Sequence, residues 1–236
     1  IPLRLVGSEM CIRDSSNGAK QSVGFSLLAM VNPGDEVIIP APYWVSYPAM
    51  TQLAQGIPVP VRTSFEHNYR LTPEQLEEAI TDKTRVLILC SPSNPTGSCY
   101  SKQDLEGLAE VLRRYPNISI ISDEIYEYIV FDEEHISLLN VAPDLKDRVA
   151  LINGFSKGFA MTGWRLGYLA GPEELVKAVG KIQSQETSAP SSISQAAGFA
   201  AYSGTLDEVL VMRASFKTRR DFMVEQLNLS LIHISE

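Results

Sequence analysis

Cysteine and histidine are scarce in these 236 residues, at three of each, and that scarcity removes whole classes of function. Cys11, Cys90 and Cys99 form neither an even disulfide framework nor a paired metal spacing, and His67, His135 and His233 are far apart in the sequence. No metal site is expected, and reduced cytoplasm is the simplest location. Apolar runs long enough to span a bilayer are lacking, as is a basic stretch followed by an apolar block at the start, so no membrane and no export are expected. Basic residues are outnumbered 20 to 28, and the resulting net charge of −8 repels phosphate backbones and anionic lipid. No nucleic acid is expected as a partner.

What is present is enough apolar material, 44% of residues, to bury the core of one large domain or part of two. From Gly18 to Pro172 short β-branched runs alternate with amphipathic stretches, the pattern of an α/β domain with a mainly parallel sheet sandwiched by helices. The expected strands are Val37 to Ile39, Val86 to Leu89, Ile118 to Ile121, Val149 to Ile152 and Leu166 to Ala170. Each is almost wholly apolar, as expected where helices cover both faces.

The intervening helices have readable ends. Thr72 and Gln75 can form a capping box with Pro73 at the first helical position, and Ser101 can cap a helix whose buried face is Leu105, Leu108, Ala109 and Leu112. Beyond Pro172 the pattern is helical almost to the end. The extremities differ: residues 1–15 and 229–236 resemble translated sequencing-adapter sequence, although ordinary terminal residues are the alternative, and they are set aside from fold reasoning. The domain is therefore expected over 16–228.

Ligands of parallel sheets lie at the carboxyl ends of the strands, so polar residues just beyond those ends are the candidates for chemistry. After Val86 to Leu89 comes SPSNPTG with Asn94. After Ile118 to Ile121 comes SDEIYE with Asp123 and Tyr126, and after Val149 to Ile152 comes NGFSKGFAMTGWR with Lys157 and Arg165. Taken singly, each has a bland reading as a turn, a helix cap or a solvated surface group. Together on successive strand ends they form a constellation of amide, acid, phenol, amine and guanidinium.

These segments resemble the fold-type I, class I aminotransferases, which use pyridoxal 5'-phosphate, and among them the aspartate and aspartate/prephenate aminotransferases. The likeness runs from about Ser16 to Asn228. It is carried by GFSKGFAMTGWRLG (Gly154 to Gly167), with SNGAKQ, PYWVSYP, SPSNPTG and SDEIYE in the family's order and approximate spacing. The resemblance implies that Lys157 forms the Schiff base with the cofactor and then carries a proton between substrate carbon and cofactor. A free lysine titrates near ~10.4, so burial beside cations or imine formation is needed to make it a base near neutrality. By the same resemblance Asp123 meets the pyridine nitrogen, Asn94 and Tyr126 bond the ring's phenolic oxygen, and Trp44 stacks on the ring, with a core or interface aromatic as the alternative for Trp44. Gly18 and Ala19, opening a helix, and Arg165 hold the phosphate, and Lys20 beside them is expected among the cofactor-binding residues.

The resemblance also brings Trp44, Asn94 and Lys20 against substrate. Lys20 is either a contact to the distal carboxylate of an acidic substrate or a solvated helix lysine. At Gly154, some relatives carry a phosphate-binding hydroxyl. The expected activity is transfer of an amino group between an amino acid, aspartate or glutamate foremost, and a 2-oxo acid, in a homodimeric parent. The small domain, the arginine for the substrate α-carboxylate and a tyrosine from the neighbouring subunit are expected outside this chain, which alone should have little or no activity. A lyase of the same fold and the ligand-sensing domain of a transcription regulator are alternatives. A serine hydrolase is a remote one, since Gly154, Ser156 and Gly158 also fit GxSxG.

Overall fold

The computed structural model describes residues 13–231. Cys11, His233 and most of the two adapter-like ends lie outside the described residues. In chain order the strands are β1 (Arg13–Ser16), β2 (Glu36–Ala41), β3 (Ile57–Arg62), β4 (Thr84–Cys90), β5 (Ser119–Asp123), β6 (Val149–Gly154) and β7 (Gly167–Ala170). The helices are α1 (Ala19–Met30), α2 (Ser46–Leu53), α3 (Pro73–Ala79), α4 (Lys102–Arg114), α5 (Leu138–Val141), α6 (Glu173–Glu186), α7 (Ser192–Ser203) and α8 (Asp207–Leu231). Among the described residues these strands form one sheet in the order β1-β7-β6-β5-β4-β2-β3. Strands β2 to β6 pair in parallel, while β7 runs antiparallel to β6 and β1 antiparallel to β7.

Period-two alternation sends each central strand's side chains into two different cores. Leu87 and Leu89 of β4, Ile120 of β5 and Leu151 of β6 pack with Leu105, Leu108 and Leu112 of α4. Val86 and Ile88, Ile121, and Ala150 and Ile152 pack on the other face with Val23 and Leu27 of α1, Met50 of α2 and Val179 of α6. The sheet is thus covered on both sides, as the apolar runs predicted.

Both expected caps are present. Thr72 Oγ1 accepts from Gln75 N at 3.3 Å while Gln75 Oε1 accepts from Thr72 N at 3.1 Å, with Pro73 opening α3. Ser101 forms the corresponding box with Asp104, and Arg113 and Arg114 complement the carboxyl end of α4. Each fully buried leucine of α4 contributes roughly 1.5–3 kcal/mol, so packing rather than helical propensity anchors it.

Two strands were not foreseen. Edge strand β3 carries Pro58 and Pro60, which cannot donate to a ladder. The amides that do bond inward are those of the odd-numbered positions: Ile57 N donates to Asp35 O at 2.8 Å and Thr63 N to Ala41 O at 2.9 Å. The prolines fall at the outward-facing positions between them, where no donor is needed. At the other edge, β1 takes in Arg13 to Ser15 of the adapter-like stretch and registers Ser16 against Gly167.

Candidate active site

The carboxyl ends of β4, β5 and β6 open onto a cavity of about 160 Å³. Ala19, Lys20, Trp44, Asn94, Asp123, Tyr126, Lys157 and Arg165 all line it, and Gly18 lies immediately behind Arg165. Every site residue expected from the sequence is therefore at one place. Arg165 reaches the rim because β7 is antiparallel to β6, so its start lies beside the end of β6.

Asp123 terminates β5 and is 3% exposed. Its Oδ2 accepts from the Tyr47 hydroxyl at 2.7 Å and its Oδ1 from the Ile125 amide at 3.2 Å. Burial pushes the carboxyl up to about 6, the two donors work against that rise, and the Glu124 charge adds to it. Burial and the nearby Asp123 also push the Cys90 thiol up to about 12. Asn94 Nδ2 donates to the Tyr126 hydroxyl at 3.3 Å, so amide and phenol are paired before any ligand arrives. Burial raises the Tyr126 phenol above its ordinary range.

Lys157 is exposed at the cavity, and its Nζ lies 5.7 Å from the centroid of the Tyr126 ring. The loop from Phe155 to Leu166 that carries it closes upon itself. Met161 N donates to Phe155 O at 3.2 Å, Ala160 N to Lys157 O at 3.1 Å and Thr162 Oγ1 to Ser156 O at 2.9 Å. Phe155 and Phe159, either side of the lysine, pack on Tyr202 of α7 with centroids at 4.5 and 5.3 Å.

The phosphate-type corner is built from backbone. Gly18 has φ +87° and no side chain caps α1; the Gln21 amide donates to Gly18 O at 3.0 Å, which leaves the first two amides of the helix, those of Ala19 and Lys20, for an acceptor. A Cβ on Gly18 would collide with the Arg165 guanidinium, which itself donates to Thr162 O at 2.9 Å and to Asn17 O at 3.3 Å. At Gly154, where a hydroxyl occurs in some relatives, an added Cβ would stand 2.9 Å from both Gly167 Cα and Leu166 O. The close approach of β6 and β7 explains the glycine. Ser156 and Thr162 bring hydroxyls to the cavity instead.

Tyr47 is the residue that reading the sequence missed, although it lies in PYWVSYP beside Trp44. The rings of Trp44 and Tyr47 meet edge to face at 5.4 Å, and Lys20 Nζ stands 4.8 Å over Trp44. As for the hydrolase alternative, His135 is engaged by Glu124 at 3.0 Å. Among the described residues no group of His, Cys, Asp and Glu is arranged to hold a metal ion, and no helix is long and apolar enough to cross a membrane.

A helix-covered, mainly parallel sheet with an amine, a buried acid and an anion corner on one rim defines the class of protein. The chain belongs to the family described as aminotransferase class I and II, whose model matches residues 15–236. It is 53% identical over 215 residues to the bifunctional aspartate aminotransferase and glutamate/aspartate-prephenate aminotransferase of Petunia hybrida, covering 89% of this chain and 44% of that protein. It is 51% identical to the aspartate/prephenate aminotransferase of Cereibacter sphaeroides, covering 89% of this chain and 53% of that one. The crystal structure of the aspartate aminotransferase from Rhizobium meliloti superposes with a TM-score of 0.90 at 46% identity, over 92% of this chain and 55% of that chain. The chain thus spans about half the length of the relatives it matches.

Proposed function

We propose that this chain is the cofactor-holding part of a pyridoxal 5'-phosphate-dependent aminotransferase that moves an amino group between an amino acid and a 2-oxo acid. The single observation that carries the reading is that Lys157 and the buried, hydrogen-bonded Asp123 line one cavity together with the Asn94–Tyr126 pair. The donor set suits the cofactor: an amine for its aldehyde, an acid for its ring nitrogen, an amide and phenol for its ring oxygen, and a guanidinium with uncapped amides for its phosphate. When bound, pyridoxal 5'-phosphate supplies a ring that drains electron density from a substrate carbon.

The protein's own groups do the rest. Asp123 keeps a ring nitrogen protonated, and its burial strengthens that interaction by excluding water. Tyr126, held by Asn94, donates its hydroxyl proton toward the ring oxygen, and Trp44 closes one face. Lys157, exposed on the cavity wall, carries a proton at the substrate carbon, and its exposure supports access for substrate. Lys20, beside Trp44 on the same cavity, supports an acidic substrate, aspartate or glutamate, through its distal carboxylate. Homodimerisation belongs to the same proposal, supported by the exposed apolar side chains of Val45 and Leu53, flanking and within α2.

Adding pyridoxal 5'-phosphate to the purified chain tests the reading. A visible absorbance band of lysine-bound cofactor is expected, lost in Lys157→Ala. A chain that develops no such band, or a variant that keeps it, overturns the proposal.

A further inference from the structure

We propose that Tyr47 is a positioning residue whose hydroxyl fixes the Asp123 carboxylate and whose ring fixes Trp44, so that one side chain sets both the edge and the face of the aromatic ring bound between them. The inference rests on the cofactor reading above. Tyr47 is 2% exposed, and the hydrogen bond to Asp123 is the shorter of the two the carboxylate accepts, 2.7 Å against 3.2 Å. The same ring stands at 88° to Trp44. Tyr47 is in turn immobilised through its backbone: its amide donates to Trp44 O at 3.0 Å, and its carbonyl accepts from Thr51 Oγ1 at 2.9 Å.

The groups that face Asp123 are the Tyr47 hydroxyl, the Ile125 amide, the Cys90 thiol, the Tyr126 phenol and the Glu124 carboxylate, and none of these is a cation. The negative form of the acid is therefore held by hydrogen bonds alone, and the phenol is the stronger holder. Burial and the Asp123 charge raise the Tyr47 phenol well above its ordinary range, so it remains a donor at every relevant pH. Removing that donor leaves a carboxyl held by the Ile125 amide alone, which takes up its own proton more readily and is less firmly oriented. Such a group no longer holds a protonated ring nitrogen.

The test compares the chain with Tyr47→Phe, which keeps the ring and its contact with Trp44. In the cofactor-free protein, the Asp123 titration is followed by carboxyl ¹³C NMR, assigned through Asp123→Asn. The midpoint is expected to rise by about one unit in Tyr47→Phe, a tenfold change in proton affinity. Binding of pyridoxal 5'-phosphate is then measured beside its 1-deaza analogue, which has carbon in place of the ring nitrogen. The variant should weaken the natural cofactor by about tenfold and the analogue hardly at all. Equal weakening of both, or an unmoved Asp123 midpoint, overturns the proposal. If Tyr47→Phe fails to fold, 3-fluorotyrosine at this position provides a stronger donor and must lower the midpoint; no movement is again refutation. A parent chain that binds neither compound refutes the cofactor reading instead, while the Asp123 titration still decides whether Tyr47 governs the acid.

Discussion

The guanidinium of Arg165 stands in the space that a side chain on Gly18 would occupy. Two positions separated by 147 residues therefore constrain each other, and glycine is required at one of them both for its φ of +87° and for this contact. Gly18→Ala should displace the guanidinium and strain the turn, lowering stability by about 1 kcal/mol. Affinity for pyridoxal 5'-phosphate should fall by about tenfold while affinity for pyridoxal, which lacks the phosphate, barely changes. Equilibrium binding of the two compounds checks the expectation, and an equal loss for both would count against the phosphate assignment.

A second prediction concerns pH. Burial, reinforced by Glu124, pushes the Glu127 carboxyl up to about 7, and Asp123 is raised to about 6. A folded state that binds a proton more tightly than the unfolded chain is most stabilised below the unfolded pKa and loses that advantage as pH rises through the folded value. Stability should therefore fall between about pH 4 and pH 7, with Glu127 alone responsible for up to about 3 kcal/mol. Urea denaturation at pH 5 and pH 8 measures the fall, and Glu127→Gln should flatten it.

The third prediction follows from the loop that carries Lys157. A Cβ on Gly198 of α7 would collide with Leu166 and stand 3.0 Å from the Phe155 ring. Gly198→Val should overpack this contact, cost about 1–3 kcal/mol and shift the loop. Thermal denaturation reads the cost, and a weaker lysine-bound cofactor band reads the shift.

Capping offers a contrast without a binding effect. Ser101→Ala removes the acceptor of the Asp104 amide at 3.2 Å and should cost about 1 kcal/mol, with cofactor affinity unchanged. Urea midpoints and binding curves taken on one preparation distinguish the two quantities.

Much of this was legible because the signals are local. The apolar runs of β4, β5 and β6, the box at Thr72 and the cap at Ser101 each need only a few neighbouring residues to be recognised, and the candidate groups lie at or just beyond the ends of their strands. Strand β3 escaped because its prolines argue against a ladder until one knows that it lies at an edge. The direction of β7 escaped because alternation is the same in either sense. Tyr47 was hidden by distance, since its bond to Asp123 spans 76 positions.

The reversal of β7 has a consequence for how the anion corner is assembled. Lys157 and Arg165 are eight positions apart, joined by a self-closing bend between adjacent antiparallel strands. Had β7 continued the parallel pattern, a helical crossover would have been needed to bring an arginine to the same edge. Amine and guanidinium are instead spaced by a hairpin-like unit of low contact order, so their separation is inherited from short-range geometry and does not depend on the longer excursions that deliver Asn94 and Asp123.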